Sequence, residues 1–257
     1  DRAREAVEEL LTLLEEGRVR SAEKGPDGWK AVGWVKEGIL LAFRVGKNQE
    51  YAGGPGLFFD KDTLPLHPTR GLERNIRIVP GGTSIRRGVH LGEDVVFMPP
   101  AYVNVGAWVG GGTMVDSHAL VGSCAQVGER VHLSAGAQLG GVLEPVGSRP
   151  VIVEDEVTVG GNCGVFEGVL VRRRAVLAPG VIVTASTPLV DLVREEVHRS
   201  EPGSPLAVPE GAVVVPGSRI AGGDFADREG IQLYAPVIVK YRDEDTDAAT
   251  ALEEALR

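Results

Sequence analysis

Two cysteines and three consecutive arginines are side chains in this sequence that could bind a metal or a phosphate if their spacing allows it. The cysteines, Cys124 and Cys163, form no CxxC motif and no Cys/His cluster with the spacing of a zinc site. We therefore expect two buried thiols in a reducing compartment, without a disulfide or a metal centre. The arginines at 172–174 could bind a phosphate, but a run of like charge is more typical of a solvated surface, which is our interpretation.

Composition narrows the range of partners. The chain has 257 residues, 43% of them hydrophobic and only 5% aromatic, and a formal net charge of -9. This acidic balance makes nucleic acid and anionic membranes poor partners, and an anionic small molecule would need a local basic pocket. Because no apolar run of transmembrane length and no signal-peptide pattern is present, we expect a cytoplasmic protein.

A six-residue period of large apolar side chains runs through the middle of the chain. Residues 145–150 interrupt it and shift its phase, and it resumes from Val153 to Val183. Such a repeat is the signature of a parallel β-helix, in which each hexad forms one flat side of a triangular coil and the apolar side chains stack inside. The first series is Val79, Ile85, Leu91, Phe97, Val103, Val109, Val115, Val121, Val127, Leu133 and Leu139.

The segment before the repeat is predicted to be mixed in structure. Residues 1–20 have the apolar spacing of an amphipathic helix that ends at Gly17. Residues 29–45 contain an apolar run that fits either a helix or a buried strand. Residues 46–68 are rich in Gly, Pro and Asp and are predicted to be loop.

Segments that leave the repeat are the expected places for binding chemistry, since loops on a rigid scaffold often carry function. Residues 145–150 and 189–207 are predicted loops, 233–241 a strand, and the last residues a closing helix. The predicted regions are an N-terminal helical or mixed domain (1–77), a β-helix (78–188), and a C-terminal region (189–257) with a loop, a partial coil, a strand and a helix.

Three classes of protein use a hexapeptide β-helix: zinc hydrolases, ice-binding solenoids and acyltransferases that use an acyl-CoA. Because one coil has about 18 residues, histidines that share a zinc ion should recur at that spacing, and none do. The outward positions are chemically mixed and form no threonine ranks, which argues against ice binding. The histidines are His67, His90, His118, His132 and His198.

Four motifs in fixed order go beyond the repeat: "GTMVD", "VGSCAQVG", "VHLSAG" and "GGVLEP". With most of the remaining chain, they resemble the tetrahydrodipicolinate N-succinyltransferases of lysine and diaminopimelate biosynthesis. The resemblance implies a mainly β fold built on a left-handed β-helix, and a homotrimer with its active sites between subunits. It also implies transfer of a succinyl group from succinyl-CoA, a co-substrate, to the amine of the ring-opened dicarboxylate L-2-amino-6-oxopimelate, with no permanently bound cofactor.

The resemblance also implies roles for individual residues. Arg77 would bind an acceptor carboxylate, because a guanidinium makes bidentate contacts with it. Asp116 would bind the acceptor amine and act as a catalytic group with Glu167. Gly140 and Gly141 are candidate backbone donors to the thioester oxyanion. Candidate coenzyme A contacts are Ser186, Thr187 and Lys240.

One stretch departs from the family pattern. Where relatives often have a carboxylate, three residues before a retained Glu-Gly pair, this chain has Gly164, and Phe166 lies between them. This leaves the identity of the acceptor open, together with two alternatives: an acetyl-CoA-dependent N-acetyltransferase that acts on the same or another amino acceptor, or a solenoid that binds coenzyme A without turnover. A basic or hydroxyl-bearing pocket for the free succinyl carboxylate would separate the two donors. His118 and His132 fit either general bases or ordinary surface residues.

Overall fold

The computed structural model describes residues 2–53, 56–201, 203–243 and 247–256. The first 61 residues form two helices and two hairpins, of which β1 pairs with β2 and β3 with β4. The apolar faces of the helices pack together through Leu10, Leu11 and Ile39. The elements are α1 (Arg2–Glu15), β1 (Ala22–Gly25), β2 (Gly28–Ala31), α2 (Gly33–Val45), β3 (Asn48–Gly53) and β4 (Gly56–Lys61).

This region confirms one sequence prediction, decides a second and corrects a third. The N-terminal helix is present, and Gly17 adopts a positive φ of 73° just after its end. The ambiguous apolar run divides into strand β2 and helix α2. The prediction of loop for 46–68 is wrong, because β3 and β4 form a hairpin there. Asn48–Gly53 and Gly56–Lys61 pair in spite of the Gly- and Pro-rich composition of the segment.

Seventeen two-residue strands follow, one on each side of successive coils. They are β5 (Arg77–Ile78), β6 (Ser84–Ile85), β7 (His90–Leu91), β8 (Val96–Phe97), β9 (Tyr102–Val103), β10 (Trp108–Val109), β11 (Met114–Val115), β12 (Leu120–Val121), β13 (Gln126–Val127), β14 (His132–Leu133), β15 (Gln138–Leu139), β16 (Ile152–Val153), β17 (Thr158–Val159), β18 (Gly164–Val165), β19 (Leu170–Val171), β20 (Val176–Leu177) and β21 (Ile182–Val183).

The C-terminal region adds longer strands and two helices. The predicted strand at 233–241 and the closing helix are present, but the segment predicted as a loop at 189–207 contains a hairpin of β22 and β23 and joins strand β24. The elements are β22 (Leu189–Asp191), β23 (Glu196–His198), β24 (Ala207–Val208), β25 (Ala212–Ile220), α3 (Asp224–Glu229), β26 (Gln232–Tyr241) and α4 (Ala248–Leu256).

The short strands build the three flat sides of a left-handed parallel β-helix, with an α-helical N-terminal region and a small C-terminal extension. Sheet 1 contains β7, β10, β13, β16, β19 and β24, and sheet 3 contains β6, β9, β12, β15, β18 and β21. Sheet 2 contains β5, β8, β11, β14, β17 and β20, and continues into β25, β26, β22 and β23.

The second residue of almost every strand points inward and stacks on its equivalent in the next coil. Phe97, Val115 and Leu133 are aligned in sheet 2 and have no solvent exposure. Each buried side chain of this kind contributes roughly 1.5–3 kcal/mol of hydrophobic stabilisation. The predicted series is wrong at its first member, because Ile78 rather than Val79 is aligned with Phe97. The coil that begins at Ile78 is one residue longer than the coils of regular length, such as the one from Ile85 to Val103.

Two sides of the β-helix are covered by other parts of the chain. The β1–β2 hairpin lies on sheet 1, where Ala22 and Trp29 pack against Ile152 and Leu170. The upper part of sheet 2 is covered by α4, whose Ala251 packs with buried residues of β20 and β25. No helix among the described residues combines the length and the apolarity that a membrane crossing requires.

Candidate functional site

Asp116 and His132 lie side by side at the edge of sheet 2. Nε2 of His132 is 2.9 Å from Oδ2 of Asp116, and their side chains are 44% and 23% exposed. Met114 lies opposite His132 in the pairing of β11 with β14. Because alternate residues of an extended chain share a face, Asp116 projects on the same side as Met114 and reaches the imidazole diagonally. A carboxylate and an imidazole in contact can bind an ammonium group and accept its proton.

The sequence identified Asp116 and His132 separately but did not pair them. The available signal was their separation of 16 residues, two fewer than one coil, which places them on neighbouring rungs and on the same face. His118 lies at the corner that follows Asp116, with a positive φ of 63°. Its carbonyl oxygen accepts a hydrogen bond from Gln138, and its side chain is exposed.

A cavity of about 1020 Å³ opens beside the corner where the chain leaves β15 and β18 of sheet 3. We call it the loop cavity, because Pro145, Gly147, Ser148 and Arg149 of the predicted loop form part of its wall together with Gly140, Gly141, Phe166, Glu167 and Ala185. Three of the predicted site residues therefore lie together. Oε2 of Glu167 accepts a hydrogen bond of 3.0 Å from the N–H of Ala185, which fixes the carboxylate at the cavity wall.

The two glycines in this cavity differ in their hydrogen bonding. The N–H of Gly140 donates to the carbonyl oxygen of Val165 at 2.8 Å, in the ladder between β15 and β18. Within the part of the chain that the structure describes, the N–H of Gly141 donates to no acceptor. Of the two predicted oxyanion donors, only Gly141 therefore has a free backbone donor; the prediction for Gly140 conflicts with its place in the ladder.

Phe166 occupies the space above Gly164. A Cβ added to Gly164 would lie 2.3 Å from Cε2 of Phe166 and 2.9 Å from Cδ1 of Ile182. A Cβ added to Gly140 would lie 2.7 Å from Cδ1 of the same ring. The aromatic ring thus packs against both glycines and fills the position where a side chain at residue 164 would project.

The remaining predicted residues lie in three places. Ser186 and Thr187 follow Ala185 at the corner beside the loop cavity, and Oγ1 of Thr184 is within hydrogen-bond distance of both hydroxyls. Arg77 is exposed in β5, two rungs before β11 in sheet 2. Lys240 lies in β26, opposite Val213. Within one chain, the pair of Asp116 and His132 does not line the loop cavity.

The predicted burial of both cysteines is confirmed, and two of the three consecutive arginines, Arg172 and Arg173, are exposed as predicted. Both cysteines are free and fully buried, and burial raises the pKa of Cys163 to about 11, which disfavours a reactive thiolate. Arg173 forms an exposed ion pair with Glu156 at 2.8 Å. Arg174 donates a hydrogen bond to the carbonyl oxygen of Asp243.

One cluster in the C-terminal hairpin has ligand types suited to a metal. Atoms of Asp191, Glu196 and His198 lie within 4.8 Å of one another. Asp191 already accepts hydrogen bonds from two backbone N–H groups and from the hydroxyl of Tyr241. Burial alone would raise the pKa of Asp191, but these hydrogen bonds outweigh it and hold the pKa below the usual value. The cluster therefore joins the hairpin to β26 as a hydrogen-bonded network.

Comparisons with known proteins give concordant matches along the chain. Residues 1–45 match the family model "Tetrahydrodipicolinate N-succinyltransferase N-terminal", and residues 150–185 match "Hexapeptide repeat of succinyl-transferase". Relatives named 2,3,4,5-tetrahydropyridine-2,6-dicarboxylate N-succinyltransferase come from Bradyrhizobium diazoefficiens, at 44% identity, and Paramagnetospirillum magneticum, at 43%. Each alignment covers 99% of this chain and 90% of the relative.

A solved structure from Campylobacter jejuni, provisionally assigned as 2,3,4,5-tetrahydropyridine-2-carboxylate N-succinyltransferase, has a similar fold, with a TM-score of 0.60. Its sequence is 18% identical, and the match covers 98% of this chain but only 64% of that one. At this identity the similarity concerns the fold alone.

Proposed function

Because this chain belongs to the tetrahydrodipicolinate N-succinyltransferase family, we propose that it transfers a succinyl group from succinyl-CoA to the amino group of ring-opened tetrahydrodipicolinate, L-2-amino-6-oxopimelate. The observation that carries the proposal is the match, at more than 40% identity over 99% of the chain, to relatives that bear this activity in their name. The step would belong to lysine and diaminopimelate biosynthesis, with succinyl-CoA as co-substrate and no permanently bound cofactor.

The proposed reaction is direct attack of the amine on the thioester. The amine nitrogen forms a bond with the thioester carbonyl carbon, and the tetrahedral intermediate then expels the coenzyme A thiolate. Asp116 would bind the acceptor as an ammonium and, with His132 in contact at 2.9 Å, take up one proton and pass it to solvent, which leaves the neutral amine that attacks. The nitrogen loses its second proton as the amide forms and the thiolate gains one, so that the products are an amide, coenzyme A and one proton released to solvent. The free N–H of Gly141 would stabilise the oxyanion.

Further roles form part of the same proposal. Arg77 would bind an acceptor carboxylate, Ser186, Thr187 and Lys240 would contact coenzyme A, and Glu167 would act as a second carboxylate. We propose a homotrimer with active sites between subunits. In its support, Asp116 and Glu167 lie at different corners of one chain, so that both could contribute to one site only if they came from neighbouring subunits. We also propose a cytoplasmic protein with small-molecule partners and the regional division 1–77, 78–188 and 189–257.

The acetyl donor is a specific competing candidate, because the resemblance implies a carboxylate at the position of Gly164 and Phe166 reshapes the cavity beside it. The test measures release of the coenzyme A thiol by the purified full chain with the acceptor present and with either succinyl-CoA or acetyl-CoA. We expect thiol release with succinyl-CoA that depends on the acceptor. Preference for acetyl-CoA would replace the donor assignment. Binding of coenzyme A without turnover of either donor would favour a non-catalytic solenoid.

A further inference from the structure

Arg149 is a partly buried guanidinium that is held by neutral acceptors. Its Nε and Nη2 donate to the carbonyl oxygen of Gly168 at 3.0 and 2.9 Å, and Nη2 also donates to that of Pro205 at 3.2 Å. No carboxylate lies within ion-pair distance of it in the described part of the chain. Burial and, to a smaller extent, the charge of Arg172 lower the pKa of Arg149. A partly desolvated cation with no counter-charge favours an anionic ligand.

The guanidinium belongs to the wall of the loop cavity. Arg149 lines this cavity together with Gly141, Phe166 and Glu167, and its Nη1 donates to no acceptor among the described residues. The cavity therefore contains both the candidate oxyanion donor and a cationic group with unused hydrogen-bonding capacity. The other charged residues that line it are Lys30, Glu144, Glu167 and Glu201. Arg149 is the only guanidinium among the lining residues, and a carboxylate could accept a charge-assisted hydrogen bond from its unused Nη1.

The segment that carries Arg149 is fixed from two sides. Arg149 itself ties it to the corner after Glu167 and to the segment that precedes β24. On the other side, the fully buried Lys36 of α2 donates from Nζ to the carbonyl oxygen of Ser148 at 2.5 Å. Arg149 is therefore positioned before any ligand binds, which is the arrangement expected of a recognition group.

We infer that Arg149 binds the free carboxylate of the succinyl group and so distinguishes succinyl-CoA from acetyl-CoA. The inference rests on the proposed function, since it concerns the donor in that reaction. The ligand of Arg149 is taken to be the carboxylate of the donor rather than one of the acceptor, because the same cavity contains Gly141, beside which the thioester carbonyl of the donor would lie. An acetyl group has no carboxylate and would gain nothing from the guanidinium.

The test compares the binding of succinyl-CoA, acetyl-CoA and coenzyme A by calorimetry to the full chain and to Arg149→Gln, Arg149→Lys and Arg172→Gln. We expect the preference for succinyl-CoA over acetyl-CoA to fall about 10- to 100-fold in Arg149→Gln, the effect of losing a charge-assisted hydrogen bond. Arg149→Lys should retain part of the preference. Arg172→Gln removes a nearby exposed charge that does not line the cavity, and the preference should stay within about twofold.

Binding does not require turnover, so the outcome is independent of whether the proposed reaction occurs. An equal loss of affinity for all three ligands in Arg149→Gln would overturn the inference, because it would mean that Arg149 acts on the phosphates or only on the structure of the loop. Unchanged donor preference combined with a raised KM for the acceptor would also overturn it, by moving the carboxylate to the acceptor. If the donor preference falls but neither donor is turned over, the proposed function fails and the inference stands.

Discussion

The ring of Phe166 lies across Gly164, so that Cε2 occupies space only 2.3 Å from where a Cβ on residue 164 would be. These positions are therefore coupled: a side chain at 164 requires a different residue, or a different rotamer, at 166. Gly164 and Phe166 therefore form one packing arrangement rather than two independent features, and the ring gives the loop cavity an aromatic wall.

This coupling can be measured with a double-mutant cycle. Gly164→Ala should lower the free energy of unfolding by about 1–3 kcal/mol, because the new methyl group meets the ring in a packed site. In a Phe166→Val background the same substitution should cost less, about 0.5–1 kcal/mol, since the ring is gone and only the flexible end of Ile182, at 2.9 Å, still has to move. Urea denaturation of the four proteins gives the coupling energy. Equal costs in both backgrounds would mean that the ring does not constrain position 164.

The contact between Asp116 and His132 predicts non-additive kinetics. Asp116→Asn should lower kcat/KM by about 10²- to 10⁴-fold, because the variant can neither balance the charge of the ammonium nor accept its proton. If the two residues act as a unit, Asp116→Asn combined with His132→Gln should be no more than about threefold worse than the poorer single variant. Steady-state thiol release measures all three.

The matched control for this pair is Glu129→Gln, which changes an exposed carboxylate at another corner of the β-helix. Its kcat/KM should stay within about twofold of the unmodified protein. Full activity of Asp116→Asn would remove Asp116 from the mechanism, whatever the behaviour of His132.

The stacked interior predicts that shortening one inward side chain lowers the free energy of unfolding substantially. Leu139 has no solvent exposure and lies between Val121 and Val165 in sheet 3. Leu139→Ala should lower the free energy of unfolding by about 2–4 kcal/mol, through lost burial and a residual cavity. Leu72→Ala, at a fully exposed leucine, should change it by no more than about 0.5 kcal/mol. Both free energies of unfolding can be measured by chemical denaturation. Similar losses in the two variants would contradict the assignment of Leu139 to the stacked interior.

His90 predicts loss of stability in mild acid. Its ring stacks on Trp108 with centroids 3.7 Å apart, and burial lowers its pKa from 6.5 to about 4. Between pH 6.5 and about 4 the unfolded chain binds a proton at His90 that the folded protein does not. The free energy of unfolding is therefore unaffected by His90 above pH 6.5 and decreases as the pH falls towards 4. The effect should be on the order of 1 kcal/mol after allowance for solvent screening.

The measurement is the free energy of unfolding as a function of pH for the unmodified chain and for His90→Phe, which keeps an aromatic ring on Trp108 without a titrating group. The decline in this interval should be smaller in the variant. His118→Gln, at an exposed corner, should leave the decline unchanged. The assignment is wrong if His90→Phe and the unmodified chain lose stability in parallel.

The sequence by itself determined the β-helix, because each six-residue side turns a large aliphatic residue such as Val121 and a small one such as Ala119 into the interior, and this pairing recurs from side to side. It also indicated the position of Asp116, since the corner motifs are local. It could not decide residues 29–45, where a short apolar run is compatible with either a helix or a strand, and it missed β3–β4 because turn-forming residues dominate that segment.

Only the tertiary structure decided which residues meet. The contact of Asp116 with His132 depends on strand register, and the position of Arg149 depends on Lys36, which is more than 100 residues earlier and holds the loop at Ser148. The free N–H of Gly141 and the engaged N–H of Gly140 differ because only one of them lies in the ladder. A six-residue repeat specifies which side chains point inward; the outer contacts follow from the register between coils and from packing between segments distant in sequence.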